Sequence, residues 1–341
     1  MSDISFSTPE WKLDEQGRKI VYLTPSILKD IKCLRFFYLS SLLGLRRKGA
    51  ELRNYKAAYG NAFGMFCDDF HSGLSHDDST IRAKAYYEKF DEEITDEKEW
   101  RTLTHLIRTM RKYSQEVTPE TFTPLKIGED FATQLTIDIP ITVGNGYVYR
   151  LAGTIDKFCK YATYPQVIVD DKTTGSYNIK LFFEQYKLSL QMLTYIFLGT
   201  KFLKGEDSTD WLPFVINGIF VKYPTKKAEM QGIFDGATFV RHGPEQVTNA
   251  LMESFLRWVK GICSQLDIML NLMDSTLIDY PNYNCCSGSF GKGCEFSPLC
   301  RFGDVEQMKL MIPSIYDIGK FSPTIISLSG GSDESLDEYN L

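Results

Sequence analysis

The stretch from residue 153 to residue 195 constrains the fold of this chain more than any other part of it. Two apolar runs, residues 147–156 and 166–171, are separated by a short polar and aromatic break at residues 161–165. Apolar runs of this length around such a break predict two β-strands joined by a turn. The ends of the two strands can therefore meet in the fold.

Two carboxylates and one ammonium group would come together in this hairpin. Asp170 and Lys172 are two residues apart, so they project from the same face of their strand, and Asp156 ends the preceding run. Mg²⁺ prefers carboxylate and water oxygens. A bound ion lowers the pKa of its water and stabilises charge on phosphorus oxygens, and an ammonium supports that charge. The alternative is that Asp170 and Lys172 belong only to a solvated turn.

Residues 178–199 predict one helix that is apolar on nearly every side and is therefore buried. Glu184, Lys187, Gln191 and Tyr195 nevertheless follow a spacing of three, four and four residues, which predicts one polar stripe. Buried polar side chains need hydrogen-bonding partners. A metal, its waters or a phosphate would supply them, whereas an ordinary core helix would more often carry Leu at these positions.

The order of these motifs resembles the RecB-like branch of the PD-(D/E)xK nuclease superfamily. The motifs are Gly-x-x-Asp at 153–156, Asp-x-Lys-Thr at 170–173 and Gln-x-x-x-Tyr at 191–195. That branch includes the AddB nuclease domain and the CRISPR-associated iron-sulfur exonucleases. The resemblance implies an α/β fold with a restriction-endonuclease-like mixed central sheet flanked by helices. To this fold the residue pattern adds an N-terminal helical insert at 79–117 and a C-terminal cysteine cluster. It also implies dependence on Mg²⁺ or Mn²⁺ and cleavage of DNA.

The same resemblance implies roles for five residues. Asp156 and Asp170 would be metal ligands, and Lys172 would be the catalytic lysine. Gln191 and Tyr195 would be the helix residues that position the scissile strand or the water.

One position departs from the family pattern. Family members usually carry Gly-x-x-x-His on an earlier helix, with the His as a metal ligand, and this chain has Gly64 where the His would follow Gly60. Asp68, Asp69 or His71 is a possible replacement, although acids and His on a helix are more often surface groups. The departure gives an alternative function, a nuclease-fold protein that binds DNA or another protein without cutting.

Cysteine supplies a second signal, because four of the eight cysteines lie between residues 285 and 300. In a reducing compartment such a cluster favours a metal site over disulfides. Three of these thiolates and Cys33 would provide the four ligands of a [4Fe-4S] cluster or of a structural zinc ion. The residue types alone do not separate iron from zinc.

The resemblance favours iron. Iron-sulfur members of the RecB-like group carry one early Cys and a late Cys-x5-Cys pair, a spacing that Cys294 and Cys300 reproduce. Cys286, in preference to Cys285, would be the remaining ligand. The cluster would tie the C-terminus to the first helix, which Cys33 belongs to. The other cysteines are interpreted as core thiols, namely Cys67, Cys159 and Cys263.

Composition sets wider limits. At 341 residues and 43% hydrophobic content, the chain can bury a sizeable core. It has no apolar run of about eighteen residues, and residues 1–11 contain acids and no apolar signal region. We therefore expect a cytoplasmic protein without a membrane span. A net charge of -6 argues against nonspecific coating of DNA but allows a basic groove.

We expect five segments along the chain. They are a leader at 1–23, a helical region at 24–120 packed on the core, the nuclease core at 121–280, a metal-cluster segment at 281–312 and a tail at 313–341 with a disordered end.

Four local predictions concern single elements. Ser26 is the predicted N-cap of a helix that runs to Leu43. Residues 144–146, Gly-Asn-Gly, predict a hairpin turn, and residues 211–223 predict a strand. Gly243-Pro244 is the predicted start of a long amphipathic helix.

Together these features predict a metal-dependent DNA exonuclease that acts on DNA with single-stranded ends. The chain has no Gly-x4-Gly-Lys-Ser/Thr motif, which predicts a stand-alone nuclease without a helicase. By analogy with the family, we expect a phage or mobile-element enzyme of DNA recombination, repair or processing.

Overall fold

The computed structural model describes residues 11–31, 33–48, 55–92, 94, 99–176, 178–271, 294–300 and 305–318. Its strands are, in chain order, β1 (Lys19–Leu23), β2 (Leu45–Arg47), β3 (Thr123–Pro124), β4 (Lys126–Ile127), β5 (Asp130–Phe131), β6 (Thr133–Val143), β7 (Tyr147–Tyr161), β8 (Tyr164–Thr174), β9 (Phe214–Val221), β10 (Ala237–Glu245) and β11 (Tyr316–Ile318).

The α-helices are, in chain order, α1 (Pro25–Asp30), α2 (Leu34–Phe37), α3 (Tyr55–His71), α4 (His76–Asp91), α5 (Leu103–Glu116), α6 (Ile179–Glu184), α7 (Leu190–Lys204), α8 (Lys226–Met230), α9 (Asn249–Asn271), α10 (Ser297–Cys300) and α11 (Val305–Ile315). A π-helix at Tyr38–Leu42 continues from α2, and a short 3₁₀-helix spans Pro119–Phe122. Within the part of the chain that the structure describes, none of them combines the length and apolar character that crossing a bilayer requires.

The chain divides into two compact units. The terminal unit comprises residues 1–52, 136–153 and 250–341, and the central unit comprises residues 53–135 and 154–249. The strand β7 begins in the terminal unit and continues into the central one.

The central unit is built on a mixed sheet. The second half of β7 pairs antiparallel with β8, β8 pairs parallel with β9, and β9 pairs antiparallel with β10. The helices α3 and α7 contact β8, and α5 contacts β10. Fully buried runs such as Val167–Val169 explain this arrangement, because a strand covered on both faces carries apolar residues without alternation. The predicted mixed sheet flanked by helices is confirmed.

Both predicted hairpins are present. In the hairpin of β7 and β8, Lys157 lies opposite Val169 and the turn follows Tyr161. In the hairpin of β6 and β7, the amide of Gly144 donates to the carbonyl of Tyr147 at 2.9 Å. The glycines of this second turn supply the backbone freedom that a tight reversal requires, since Gly146 has a φ of 84°.

An aromatic cluster forms the helical part of the core in the central unit. Phe63, Phe66 and Tyr113 are completely buried, and their rings meet at centroid distances between 5.5 and 6.1 Å. They belong to α3 and α5. Aromatic rings in such edge and tilted contacts stabilise a core beyond the area that they bury.

The terminal unit has its own sheet pairs and core. The strand β1 pairs parallel with the first part of β7, and β2 pairs antiparallel with β11. The ring of Phe36 on α2 meets that of Phe296 edge-on at 5.1 Å. The C-terminal segment therefore packs against the first helices through one apolar cluster, formed by Leu39, Leu45, Phe296, Leu299, Ile312 and Tyr316.

Two segments that were predicted as single continuous helices are interrupted in the structure. Residues 178–199 form two helices rather than one, because α6 ends at Glu184 and the side chain of Ser189 caps a new helix, α7. The predicted polar stripe is thereby broken. Likewise the segment after Thr24 breaks after Asp30, and Thr24 rather than Ser26 accepts the capping hydrogen bond, from the amide of Ile27.

The prediction for Gly243-Pro244 is also wrong, since both residues lie in β10 and the long helix α9 begins at Asn249. The strand β10 is the last of its sheet. A proline lacks the amide that a central strand would need, and an edge strand tolerates that loss.

A buried histidine in the central unit predicts how stability depends on pH. His105 contacts the hydroxyl of Tyr59 through Nδ1 at 2.9 Å and the carbonyl of Lys222 through Nε2 at 3.2 Å. Burial lowers the pKa of His105 to about 4, whereas the pKa of an exposed histidine is near 6.5. Between these values the unfolded chain binds more protons, so stability falls as the pH falls from about 6.5 towards 4.

We expect His105→Gln to weaken this dependence. One histidine contributes a slope of up to about 1.4 kcal/mol per pH unit in that window. Urea unfolding of both proteins at several pH values measures the two slopes. If the free energy of unfolding changes with pH equally in the variant and the wild type below pH 6.5, the lowered pKa of His105 is contradicted.

Candidate active site

The strand β8 places Asp170 and Lys172 on one face. The Nζ atom of Lys172 lies 3.0 Å from Oδ1 and 2.9 Å from Oδ2 of Asp170. Asp170 is buried and Lys172 is partly exposed. Although burial lowers the pKa of Lys172, the carboxylates of Asp170 and Asp156 outweigh it and raise that pKa above its ordinary value. The amine therefore stays charged at neutral pH.

Asp156 reaches the same point from β7. Its Oδ2 atom accepts a hydrogen bond from the amide of Asp171 at 3.0 Å, and its side chain shares a hydrogen bond with Asp170. Burial, and then the charge of Asp170, raise the pKa of Asp156 to about 8. Burial also raises the pKa of Asp170. Two acids held this close in a buried place favour a proton or a cation between them.

The helix α7 covers this pair with the two polar residues that the sequence singled out. Gln191 donates through Nε2 to Oδ1 of Asp170 at 3.3 Å, and Tyr195 forms a hydrogen bond with Gln191. Burial, followed by the charges of Asp170 and Asp156, raises the pKa of Tyr195 to about 12. The structure thus brings together all five residues of the predicted site.

The donor atoms suit a hard divalent ion. Among the described residues no three His, Cys, Asp or Glu side chains are close enough to hold a metal together, so protein carboxylates would provide two ligands here. Mg²⁺ is usually bound in this manner, through one or two carboxylates with waters completing its coordination. Oδ2 of Asp170 is buried and has no well-aligned hydrogen bond, which leaves a lone pair for such an ion.

Comparison with known families decides the class of protein. The model of the PD-(D/E)XK nuclease superfamily matches residues 23–301. The chain belongs to the PD-(D/E)XK nuclease superfamily. Among solved structures, "Crystal structure of SSO0001" is 10% identical, with 62% of this chain and 84% of that chain covered and a TM-score of 0.26. A search of curated proteins found no match.

The residues after Gly64 that could replace a helix histidine have partners of their own. Asp68 lies 3.0 Å from Nζ of Lys157 and accepts a hydrogen bond from Gln134. Asp69 pairs with Arg82 at 2.9 Å.

His71, the third possible replacement, contacts the carbonyl of Pro119 at 3.0 Å and the hydroxyl of Tyr113 at 2.9 Å. The interpretation as surface groups is wrong for Asp68 and His71, which are both buried because α3 packs between α4, α5 and the sheet.

Sequence reasoning missed two features next to Asp156, Asp170 and Lys172. Tyr186, between α6 and α7, lies close enough to Lys172 and Asp170 for their charges to act on it. A second group of charges, Lys157 and Asp171 with Asp68, lies on the other face of the β7 and β8 hairpin. The sequence does contain a signal for this second group, because Lys157 directly follows Asp156 and Asp171 directly follows Asp170 in otherwise apolar strands. Consecutive residues of a strand point to opposite faces.

The described cysteines of the predicted cluster lie in the terminal unit, and no three of its described His, Cys, Asp or Glu side chains, these cysteines included, are close enough to hold a metal together. Cys33 is buried immediately before α2, Cys294 packs against the apolar cluster around Phe296, and Cys300 ends α10. Cys286, the predicted fourth ligand, and Cys285 lie outside the described residues. The predicted core thiols are buried, namely Cys67, Cys159 and Cys263.

Proposed function

We propose that this chain is a Mg²⁺- or Mn²⁺-dependent DNA exonuclease of the RecB-like branch. The observation that carries the proposal is the contact of Asp156 and Lys172 with the buried Asp170 in a chain of the nuclease superfamily. Two acids and an ammonium on one face of a hairpin are suited to hydrolysis of a phosphodiester bond, because that reaction builds negative charge next to a metal-bound water.

Each residue has a part in this reaction. The ion, when bound, activates a water and neutralises charge on the phosphoryl oxygens. Asp156 and Asp170 would hold the ion, and the charged Nζ of Lys172 would stabilise the negative charge that develops on the phosphate. Gln191 fixes the orientation of the Asp170 carboxylate through its hydrogen bond, and Tyr195 in turn supports Gln191.

The finer parts of the proposal follow the resemblance to the RecB-like branch. They are the exonuclease mode, a preference for single-stranded ends, a cytoplasmic location and a role in recombination, repair or processing of phage or mobile-element DNA. The net charge of -6 is compatible with DNA binding if the basic groups line a groove at the site.

Purified protein incubated with Mn²⁺ and end-labelled DNA tests this function. Single-stranded and duplex substrates, each labelled at the 5′ or the 3′ end, distinguish exonuclease from endonuclease products. We expect short products that require the ion and that disappear in Asp170→Asn. If the protein binds DNA but cuts it with neither Mn²⁺ nor Mg²⁺, the chain is a binding module of the superfamily instead.

We further propose that Cys33, Cys286, Cys294 and Cys300 hold a [4Fe-4S] cluster. The support is that the segments carrying three of them share one apolar core: Phe36, three residues after Cys33, contacts Phe296, two residues after Cys294. A cluster with these ligands would link the first helices to the C-terminal segment. Reduced thiols are required for this ligation, which agrees with the proposed cytoplasmic location.

Anaerobic purification tests the cluster. We expect a broad absorption band near about 400 nm, the region of iron-sulfur charge transfer, with about four irons per chain. Cys294→Ser should remove both the band and the iron, whereas Cys263→Ser, at a buried thiol of α9, should keep them. Zinc in place of iron, without the band, would contradict this part of the proposal.

A further inference from the structure

The hairpin of β7 and β8 carries a second, almost fully buried group of charges on the face opposite to Asp156 and Asp170. The Nζ atom of Lys157 lies 3.0 Å from Oδ1 of Asp68 and 2.5 Å from Oδ2 of Asp171. The side chain of Lys157 is completely buried, and those of the two acids are almost so. Lys157 and Asp171 directly follow Asp156 and Asp170, so the same two strands carry charge on both faces.

The side chain of Asp171 is fixed by a chain of contacts. Its Oδ1 atom accepts a hydrogen bond from Nδ2 of Asn217 at 2.7 Å, and Asn217 faces Asp171 across the parallel pair of β8 and β9. The same amide nitrogen of Asn217 lies 2.9 Å from the hydroxyl of Tyr113. Asp171 is therefore held by Lys157 from one strand and by Asn217 from the other.

The backbone of Asp171 connects this group to the candidate active site. Its amide donates to Oδ2 of Asp156 at 3.0 Å. The side chain and the amide of one residue thus bind partners on opposite faces of the sheet. When the side chain is held, the direction of the N–H group is held as well, and with it the orientation of the Asp156 carboxylate.

Stability alone does not account for these buried charges. Replacement of a buried ion pair by apolar groups is often neutral or stabilising, because removing charges from water is costly. Moreover, the Nζ atom of Lys157 makes no well-aligned hydrogen bond within the described residues despite its two short ion pairs. The two short ion pairs place Lys157 to fix one residue, Asp171.

We propose that Lys157 is a positioning residue that fixes the metal-binding geometry of Asp156 by holding Asp171 from the reverse face. The inference rests on the proposed metal-dependent function. Groups that orient metal ligands without touching the metal typically contribute 10- to 100-fold to metal affinity. Loss of this restraint should therefore weaken the binding of Mn²⁺ more than it slows the reaction once Mn²⁺ saturates the site.

The first test variant is Lys157→Met with Asp68→Asn, which removes one positive and one negative charge together and leaves Asp171 held by Asn217 alone. The second is Asp171→Asn, which keeps the size of the side chain and the amide but removes its charge. A matched control is Arg150→Met with Asp138→Asn, since this ion pair also involves a basic residue of β7 but joins it to β6 in the terminal unit.

Calorimetric titration with Mn²⁺ and cleavage rates over a range of Mn²⁺ concentrations provide the readouts. For both test variants we expect the dissociation constant to rise about 10- to 100-fold. The rate at saturating Mn²⁺ should stay within about threefold of wild type, and the control should match wild type in both quantities. Thermal melts establish that each variant is folded.

An unchanged Mn²⁺ dissociation constant in the folded test variants would overturn the inference and leave the group with a structural role only. If the double variant does not fold, Asp171→Asn decides by the same criterion. The wild type separates this failure from that of the proposed function: wild-type protein that neither binds Mn²⁺ nor cuts DNA refutes the function, whereas active wild type with unaffected variants refutes only the role of Lys157.

Discussion

Lys172→Ala is expected to reduce Mn²⁺-dependent cleavage of DNA by about 100- to 1000-fold, the usual loss when a preorganised charge or donor is removed from a transition state. The Lys172 ammonium is kept charged by the two carboxylates beside it. No other lysine or arginine of the described residues forms an ion pair with Asp170. The charge that builds on the phosphate would therefore lose its nearest ammonium.

Single-turnover cleavage of end-labelled DNA at saturating Mn²⁺ measures this loss. The matched control is Lys187→Ala, because Lys187 is exposed and pairs only with Glu184 across one helical turn. Exposed pairs of this kind contribute little, so the control should retain the wild-type rate. If Lys172→Ala cleaves DNA at the rate of the control, Lys172 has no role in the reaction.

Phe66→Ala is expected to lower the free energy of unfolding by about 3 to 5 kcal/mol, as is usual when a buried phenylalanine is truncated. Phe66 is completely buried in α3, where its ring stacks on Phe70 at 5.6 Å and meets Phe63 and Tyr113. The surrounding rings belong to two helices and cannot easily collapse into the space. The variant therefore loses both the transfer free energy and the contacts that line the cavity.

Urea unfolding followed by circular dichroism measures this change. Phe131→Ala is the control, since that ring is partly exposed in the short strand β5 and contacts Lys126 at the surface. Its loss should change the free energy of unfolding by less than about 1 kcal/mol. Equal losses for Phe66→Ala and Phe131→Ala would show that the aromatic cluster does not form the core of the central unit.

The hairpin of β7 and β8 could be predicted because its signals are local. The apolar runs, the turn and the two-residue spacing of Asp170 and Lys172 lie within one stretch of chain, and the side-chain period of a strand determines which residues share a face. Gln191 and Tyr195 could be predicted for the same reason, since one helical turn separates them.

Features that depend on tertiary contacts could not be predicted in this way. The break between α6 and α7 was not predicted because apolar residues recur at helical spacing on both sides of the mostly polar residues 184–189. The backbone reverses at Leu188 with a φ of 58°, which apolar periodicity does not indicate. The partners of Asp68 come from β6 and β7, and no sequence spacing reports them. The division of the chain into five segments and the ligand set of the cysteine cluster stay predictions.

Diffraction from crystals grown with Mn²⁺ tests the central claim most directly, because the anomalous signal of manganese locates the ion without reference to activity. We predict an ion within about 2.5 Å of carboxylate oxygens from both Asp156 and Asp170, with waters in the remaining positions. An occupied Mn²⁺ site elsewhere in the chain, with Asp156 and Asp170 bound only to each other and to Lys172, would contradict the account.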